Sequence, residues 1–223
     1  MRMKRLFAIV ILAILVTGCA RTPSGIGTIT LREMSFTIDF DGPINDYYYF
    51  VAIDTSGGDD GPVPIFPGLG TIGQGWVTGS ATHFVQYHAG QYTVNRIVSL
   101  QPFLSEPIGS PTRFTLPEAG SKTLRFTIDL NAVDATGPSV DINIISVSDL
   151  NATDRLIDGL GLGGTEFLPE VSILQHRPFT NEDSIQPETA EDVLNENQQI
   201  VPGQPTPQTT PLDISGWTIE IDV

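Results

Sequence analysis

Asp54, Asp59 and Asp60 sit in the stretch Asp54-Thr-Ser-Gly-Gly-Asp59-Asp60-Gly61, where an aliphatic run gives way to carboxylates, hydroxyls and glycines. Calcium takes six to eight oxygen ligands, and glycines let a loop turn its carbonyls toward an ion beside the carboxylates. These three aspartates are therefore the expected metal ligands, with calcium as the cofactor. The spacing is not that of an EF-hand and no glutamate closes the loop at its last position, so a solvated turn is the competing expectation. Tyr47, Tyr49 and Trp76 form a second candidate set. Aromatic rings with polar edges suit sugar rings, and alternation places Tyr47 and Tyr49 on one face, with Tyr48 and Phe50 on the other. The opposing expectation is that these rings line the core.

Other chemistry is less well provided for. His83 and His88 lie an odd number of residues apart, which on a strand places them on opposite faces and keeps them from sharing a metal. No G-x-S-x-G elbow occurs, so no nucleophilic serine is singled out. The many acids leave carboxylate-pair hydrolysis open without naming a pair. The glycine-rich runs at 57–61 and 159–164 lack the lysine or following helix of a phosphate cradle.

Cys19 is the single cysteine of the chain, so no disulfide can form within one molecule. Arg2, Lys4 and Arg5 precede an unbroken apolar run of eleven residues, Leu6 to Val16, too short to span a bilayer as a helix. A basic start, a short apolar run and small residues are the parts of a secretory signal peptide. The end of that segment, Val16-Thr17-Gly18-Cys19, resembles the bacterial lipobox, in which cleavage falls just before a lipid-modified cysteine. The resemblance implies a signal peptide at 1–18, a lipidated tether at 19–26 and a membrane anchor through acyl chains on Cys19. Two or three acyl chains anchor stably where one does not. Ala20 in place of Asp implies the outer membrane, should the source be Gram-negative.

Removing residues 1–18 leaves 205 residues with 8 basic against 26 acidic side chains, a net charge of −18. Lys122 is then the only lysine. Nucleic acid is excluded as an expected partner, because it requires a basic footprint. Strand-period segments dominate. Met34, Phe36, Ile38 and Phe40 alternate with polar residues within a strand region at 28–40, with a bulge or break near Arg32-Glu33. Tyr47 to Asp54 is a second strong strand, and others are expected at about 82–88, 91–101, 112–116, 123–131, 139–148, 166–174 and 212–223. The stretch 175–211 is rich in Gln, Asn, Glu, Pro and Thr and is expected to be a flexible insertion. The fold expectation is all-β: a single β-sandwich over 27–223 of about 8–10 mostly antiparallel strands.

The order of an aromatic strand, Val51-Ala-Ile-Asp54-Thr, an acidic glycine loop and later Leu124-Arg-Phe-Thr-Ile-Asp-Leu130 is similar to family 9 carbohydrate-binding modules and DOMON-like sandwiches. That resemblance covers about twenty residues and implies a loop-ligand role for Asp54 alone. The chain departs from the pattern in its 175–211 insertion and in lacking alignable paired tryptophans. It resembles uncharacterised bacterial lipoproteins equally. The leading functional expectation is a non-enzymatic cell-envelope lipoprotein whose sandwich binds or scaffolds a partner, either a carbohydrate or an envelope protein. A carbohydrate-binding module is the alternative, and a carboxylate-based hydrolase the third.

Overall fold

The two kinds of apolar pattern in this sequence produce two kinds of strand. Met34 to Phe40 alternates, and only its even positions are buried. Tyr48 to Asp54 runs apolar without alternation and is buried on both sides, as a strand covered on two faces must be.

The computed structural model describes residues 32–65, 75–152, 154–161, 166–181, 193–194, 201 and 206–223. Cys19, the 1–18 segment and the 19–26 tether lie outside the described residues, as does much of 175–211. The described chain forms, in order, β1 (Glu33–Phe40), β2 (Tyr48–Asp54), β3 (Pro62–Pro64), β4 (Val77–Gly79), β5 (His83–His88), β6 (Gln91–Leu100), β7 (Phe103–Gly109), β8 (Arg113–Thr115), β9 (Thr123–Asp129), β10 (Ser139–Val147), β11 (Ile157–Gly159), β12 (Leu168–Ser172), β13 (Pro178–Thr180) and β14 (Ile214–Asp222). Nine of these strands have five or more residues, in keeping with the expected all-β class.

A five-stranded sheet runs β13-β14-β1-β9-β8, and a seven-stranded sheet runs β11-β10-β2-β5-β6-β7 with β12 also on β10. All pairings are antiparallel among the described strands. Between the sheets lies the main core, which takes Phe36, Ile38 and Phe40 from β1, Phe126 and Ile128 from β9, and Val51, Val85 and Ile144 from the opposing sheet. Phe36 stacks on its cross-strand partner Phe126 at 4.9 Å. This is a β-sandwich.

The seven-stranded sheet also carries a second core on its outer face. Phe50, Ala52, Phe84, Ile145 and Val147 pack there against Trp76, Val77 and Leu194. The β3–β4 hairpin and its flanks thus form a third layer, and Arg155 ties its two ends down by donating to the Ile65 and Gly75 carbonyls at 2.6 and 3.2 Å. Within 175–211 the described parts also pack in: β13 pairs with β14, and Val193 and Leu194 are buried. Polar composition predicts little burial there, but the two aliphatic residues fit a face that the sheet has already made apolar.

β7 has no alternating pattern, and Pro107 removes a donor from it. It survives as a strand because it lies at the sheet edge, where a missing donor is tolerated.

Candidate functional site

The expected calcium loop is built around Asp54, whose side chain is buried on the outer face of β2. Its Oδ1 accepts from the Ser56 amide at 3.0 Å and its Oδ2 from the Ser56 hydroxyl at 2.7 Å. Asp59 and Asp60 are exposed further along the loop. Among the described residues, no group of three or more His, Cys, Asp or Glu side chains is arranged to hold a metal ion. The nearest thing to a carboxylate cluster pairs Asp54 with Asp141, its direct cross-strand partner on β10.

Asp141 is also buried, and its Oδ1 accepts from the Glu170 amide at 2.7 Å. Burial raises its pKa above the ordinary carboxylate value, the Glu170 amide opposes that rise, and the charges of Asp54 and Glu170 add to it. Asn143, next on the same face, donates to the Pro62 and Glu166 carbonyls at 2.8 and 2.7 Å and accepts from the Leu160 amide. The row Asp54, Asp141, Asn143 therefore satisfies loop backbones against the sheet.

A raised pKa means that the folded protein holds the Asp141 proton more tightly than the unfolded chain does. The resulting stabilisation is present below the ordinary value of 3.8 and is lost as pH rises through the folded value. Asp141→Asn keeps an acceptor for Glu170 and removes one charge of a directly opposed like-charged pair. At pH 7 it is expected to stabilise the protein by about 0.2–1 kcal/mol relative to the parent, with the difference vanishing near pH 3. Urea unfolding at the two pH values checks this; a less stable variant at pH 7 contradicts it.

The aromatic candidates are divided between the two cores. Tyr49 is buried in the main core, edge-on to Phe40 at 4.9 Å, with Tyr47 partly buried beside it. Trp76 is buried in the second core, stacked on Phe50 at 3.7 Å. The structure does not bring the three rings together into one platform. His83 and His88 take opposite faces. His83 points inward near Asp134, its pKa lowered mainly by burial, while His88 stacks on Tyr48 at 3.9 Å.

Sequence reasoning passed over Arg125. It occupies an ordinary outward position of β9, opposite Thr37 on β1 and Thr115 on β8. The loop joining β8 to β9 turns at Gly120, whose φ of 84° is costly for other residues, and curls over this part of the sheet. Residues 115–121, with Thr123 and Arg125, line a cavity of about 370 Å³. The returning leg of the loop is fixed: the Phe40 and Ile44 amides donate to the Lys122 and Ser121 carbonyls, and the Thr123 hydroxyl donates to Asp39 at 2.5 Å.

The described cations differ sharply in how they are engaged. Arg32 and Arg155 donate to backbone carbonyls, Arg96 pairs with Glu106, Arg113 with Glu33, Lys122 bonds the Asp41 carbonyl, and Arg177 lies over Phe179. Among the described residues, the Arg125 guanidinium has no ion pair, hydrogen bond or ring contact. Its sequence context does not single it out, because Arg96 and Arg113 are likewise arginines on solvent-facing strand positions.

An exposed, unpaired guanidinium beside hydroxyls can bind a carboxylate, sulfate or phosphate by paired N–H donors. Glu118 on the same cavity wall favours a ligand that also carries hydroxyl or amine donors. No family model matches the chain, and neither a curated protein nor a solved structure matches it.

Proposed function

We propose that this chain is a lipid-anchored protein of the cell envelope whose extracytoplasmic β-sandwich binds or scaffolds a partner, without catalysing a reaction. The observation that carries the binding reading is the unpartnered Arg125 in the cavity under the β8–β9 loop. That loop follows Thr115 and precedes Thr123, which pairs with Asp39 near the end of β1, whereas the chain enters β1 at Glu33. The cavity loop is thus at the end of the five-stranded sheet opposite Glu33, where the described chain enters β1. An anionic group on a hydroxyl-rich molecule, such as an acidic saccharide, suits Arg125 together with Glu118.

The test is an array of neutral and acidic glycans probed with the intact mature protein in detergent, with calcium and again with chelator. Arg125→Gln is expected to lose binding of acidic glycans by at least about tenfold, the scale of a charge-assisted hydrogen bond. Equal binding by both proteins removes Arg125 from the site. Calcium-dependent binding of neutral glycans favours a carbohydrate-binding module acting through the Asp54 loop.

The Asp54–Asp141 pair supports a second reading, a carboxylate-based hydrolase, because the two acids are directly opposed and one pKa is raised. Asp141→Asn discriminates. Loss of a glycosidase activity assayed on the same glycans supports the hydrolase; unchanged turnover with the stability gain described above supports a packing role.

A further inference from the structure

The β6–β7 hairpin runs past the body of its sheet. β2 ends at Ile53 and Asp54, Ile53 pairs with His83, and His83 pairs with Arg96. β6 continues to Leu100 before turning back into β7, so residues 97–104 extend beyond that row. Ile97, Leu100 and Phe103 lean on the second core and brace the tip. Val98 and Leu104 remain 60% and 53% exposed, the most exposed large apolar side chains described apart from Leu174.

The described chain enters the sandwich at this same end. Glu33 pairs with Asp129, the loop after β9 leads to Ser139 at the start of β10, and β10 begins beside Asp54. Arg32 is pinned there by its bonds to the Ala135 and Ile173 carbonyls. From Cys19 to Arg32 the chain is thirteen residues long, a reach of roughly 45 Å when fully extended. With a lipid on Cys19, that reach allows the hairpin end of the sandwich to meet the bilayer.

Charge points to the same surface. Residues 97–105 carry no charge, and the flanking Arg96 and Glu106 neutralise each other. Elsewhere at this end Asp59, Asp60 and Asp134 are exposed, which opposes approach to an anionic surface. Resting on the lipoprotein reading above, we propose that the tip of the β6–β7 hairpin, through Val98 and Leu104, dips into a zwitterionic lipid surface as a second, reversible membrane contact. Apolar side chains at the acyl boundary with charges held back from it are the arrangement of interfacial membrane contacts. The contact orients the sandwich, with the Arg125 cavity held outward.

With Cys19 acylated, an introduced cysteine is the only free thiol, which makes the test direct. Leu104→Cys and Val98→Cys are labelled with an environment-sensitive fluorophore, and Thr218→Cys on the polar face of the five-stranded sheet serves as the control. The intact lipoproteins are reconstituted into phosphatidylcholine vesicles with brominated acyl chains. The expected result is a blue-shifted emission at 104 and 98, quenched several-fold more strongly than at 218, and weakened when phosphatidylglycerol replaces part of the lipid. Water-like emission at all three positions overturns the proposal. A blue shift without bromine quenching reports a protein contact at the hairpin and also overturns it. Quenching that rises with phosphatidylglycerol overturns the zwitterionic preference. The acyl mass on Cys19 is measured separately: its absence overturns the anchor reading itself, whereas its presence with unquenched labels overturns the hairpin contact alone.

Discussion

Trp76→Ala is expected to destabilise the protein by about 3–5 kcal/mol, the range for removing a large buried aromatic side chain. Trp76 is buried, stacks on Phe50 at 3.7 Å, meets Phe84 edge-on at 5.2 Å and touches Phe103 at 6.1 Å. It is the side chain through which the third layer grips the seven-stranded sheet, so its loss exposes Phe50 and Phe84 as well as leaving a cavity. Whole domains are stable by only about 5–15 kcal/mol, so a loss of this size is a large fraction of the total. Urea unfolding gives the value. Trp76→Phe, which keeps a ring against Phe50, is expected to lose less than half as much. In that variant Trp217, buried in the main core, is the only remaining tryptophan reporter. A loss below about 1 kcal/mol for the alanine variant would show that the hairpin layer contributes little to the fold.

Cys19→Ser is the second large effect, and it acts on location rather than stability. Each methylene of an acyl chain buried in the bilayer contributes about 0.8 kcal/mol, so losing two or three chains changes the membrane partition by many orders of magnitude. The serine variant is expected in the soluble fraction, without incorporation of labelled palmitate, while its urea midpoint matches that of the parent. A variant that stays in the membrane fraction and still takes up label sinks the anchor. Partial retention of an unlabelled protein would instead measure the hairpin contact on its own.

Much of the fold was legible because strand burial is written at period two. Met34 to Phe40 and Leu124 to Ile128 alternate cleanly, and each presents the expected residues to the main core. β7, β3, β4, β11 and β13 were not legible. The last four have three residues each, too few to show a period, and β7 is an edge strand whose pattern is broken by Pro107. The aromatic run at 47–50 was recognised as two-faced, but a sequence does not say that both faces are covered. That depends on Trp76 and Leu194 arriving from distant parts of the chain.

The candidate sites divide in the same way. The expectation of a signal peptide and a lipidated cysteine rests on the local order of residues 1–19 alone, because such signals are a matter of the linear chain. The sequence likewise determined the all-β class, the acidic balance, and the opposite placement of His83 and His88. Only the tertiary structure decided that Asp54 faces Asp141, that Tyr49 and Trp76 belong to separate cores, that Arg125 lies in a cavity without a partner among the described residues and that the β6–β7 hairpin shares an end with Arg32. Each of these is a matter of cross-strand register or of one segment covering another. Both are set by the summed burial of apolar surface over the whole chain, and no local stretch of sequence contains that sum.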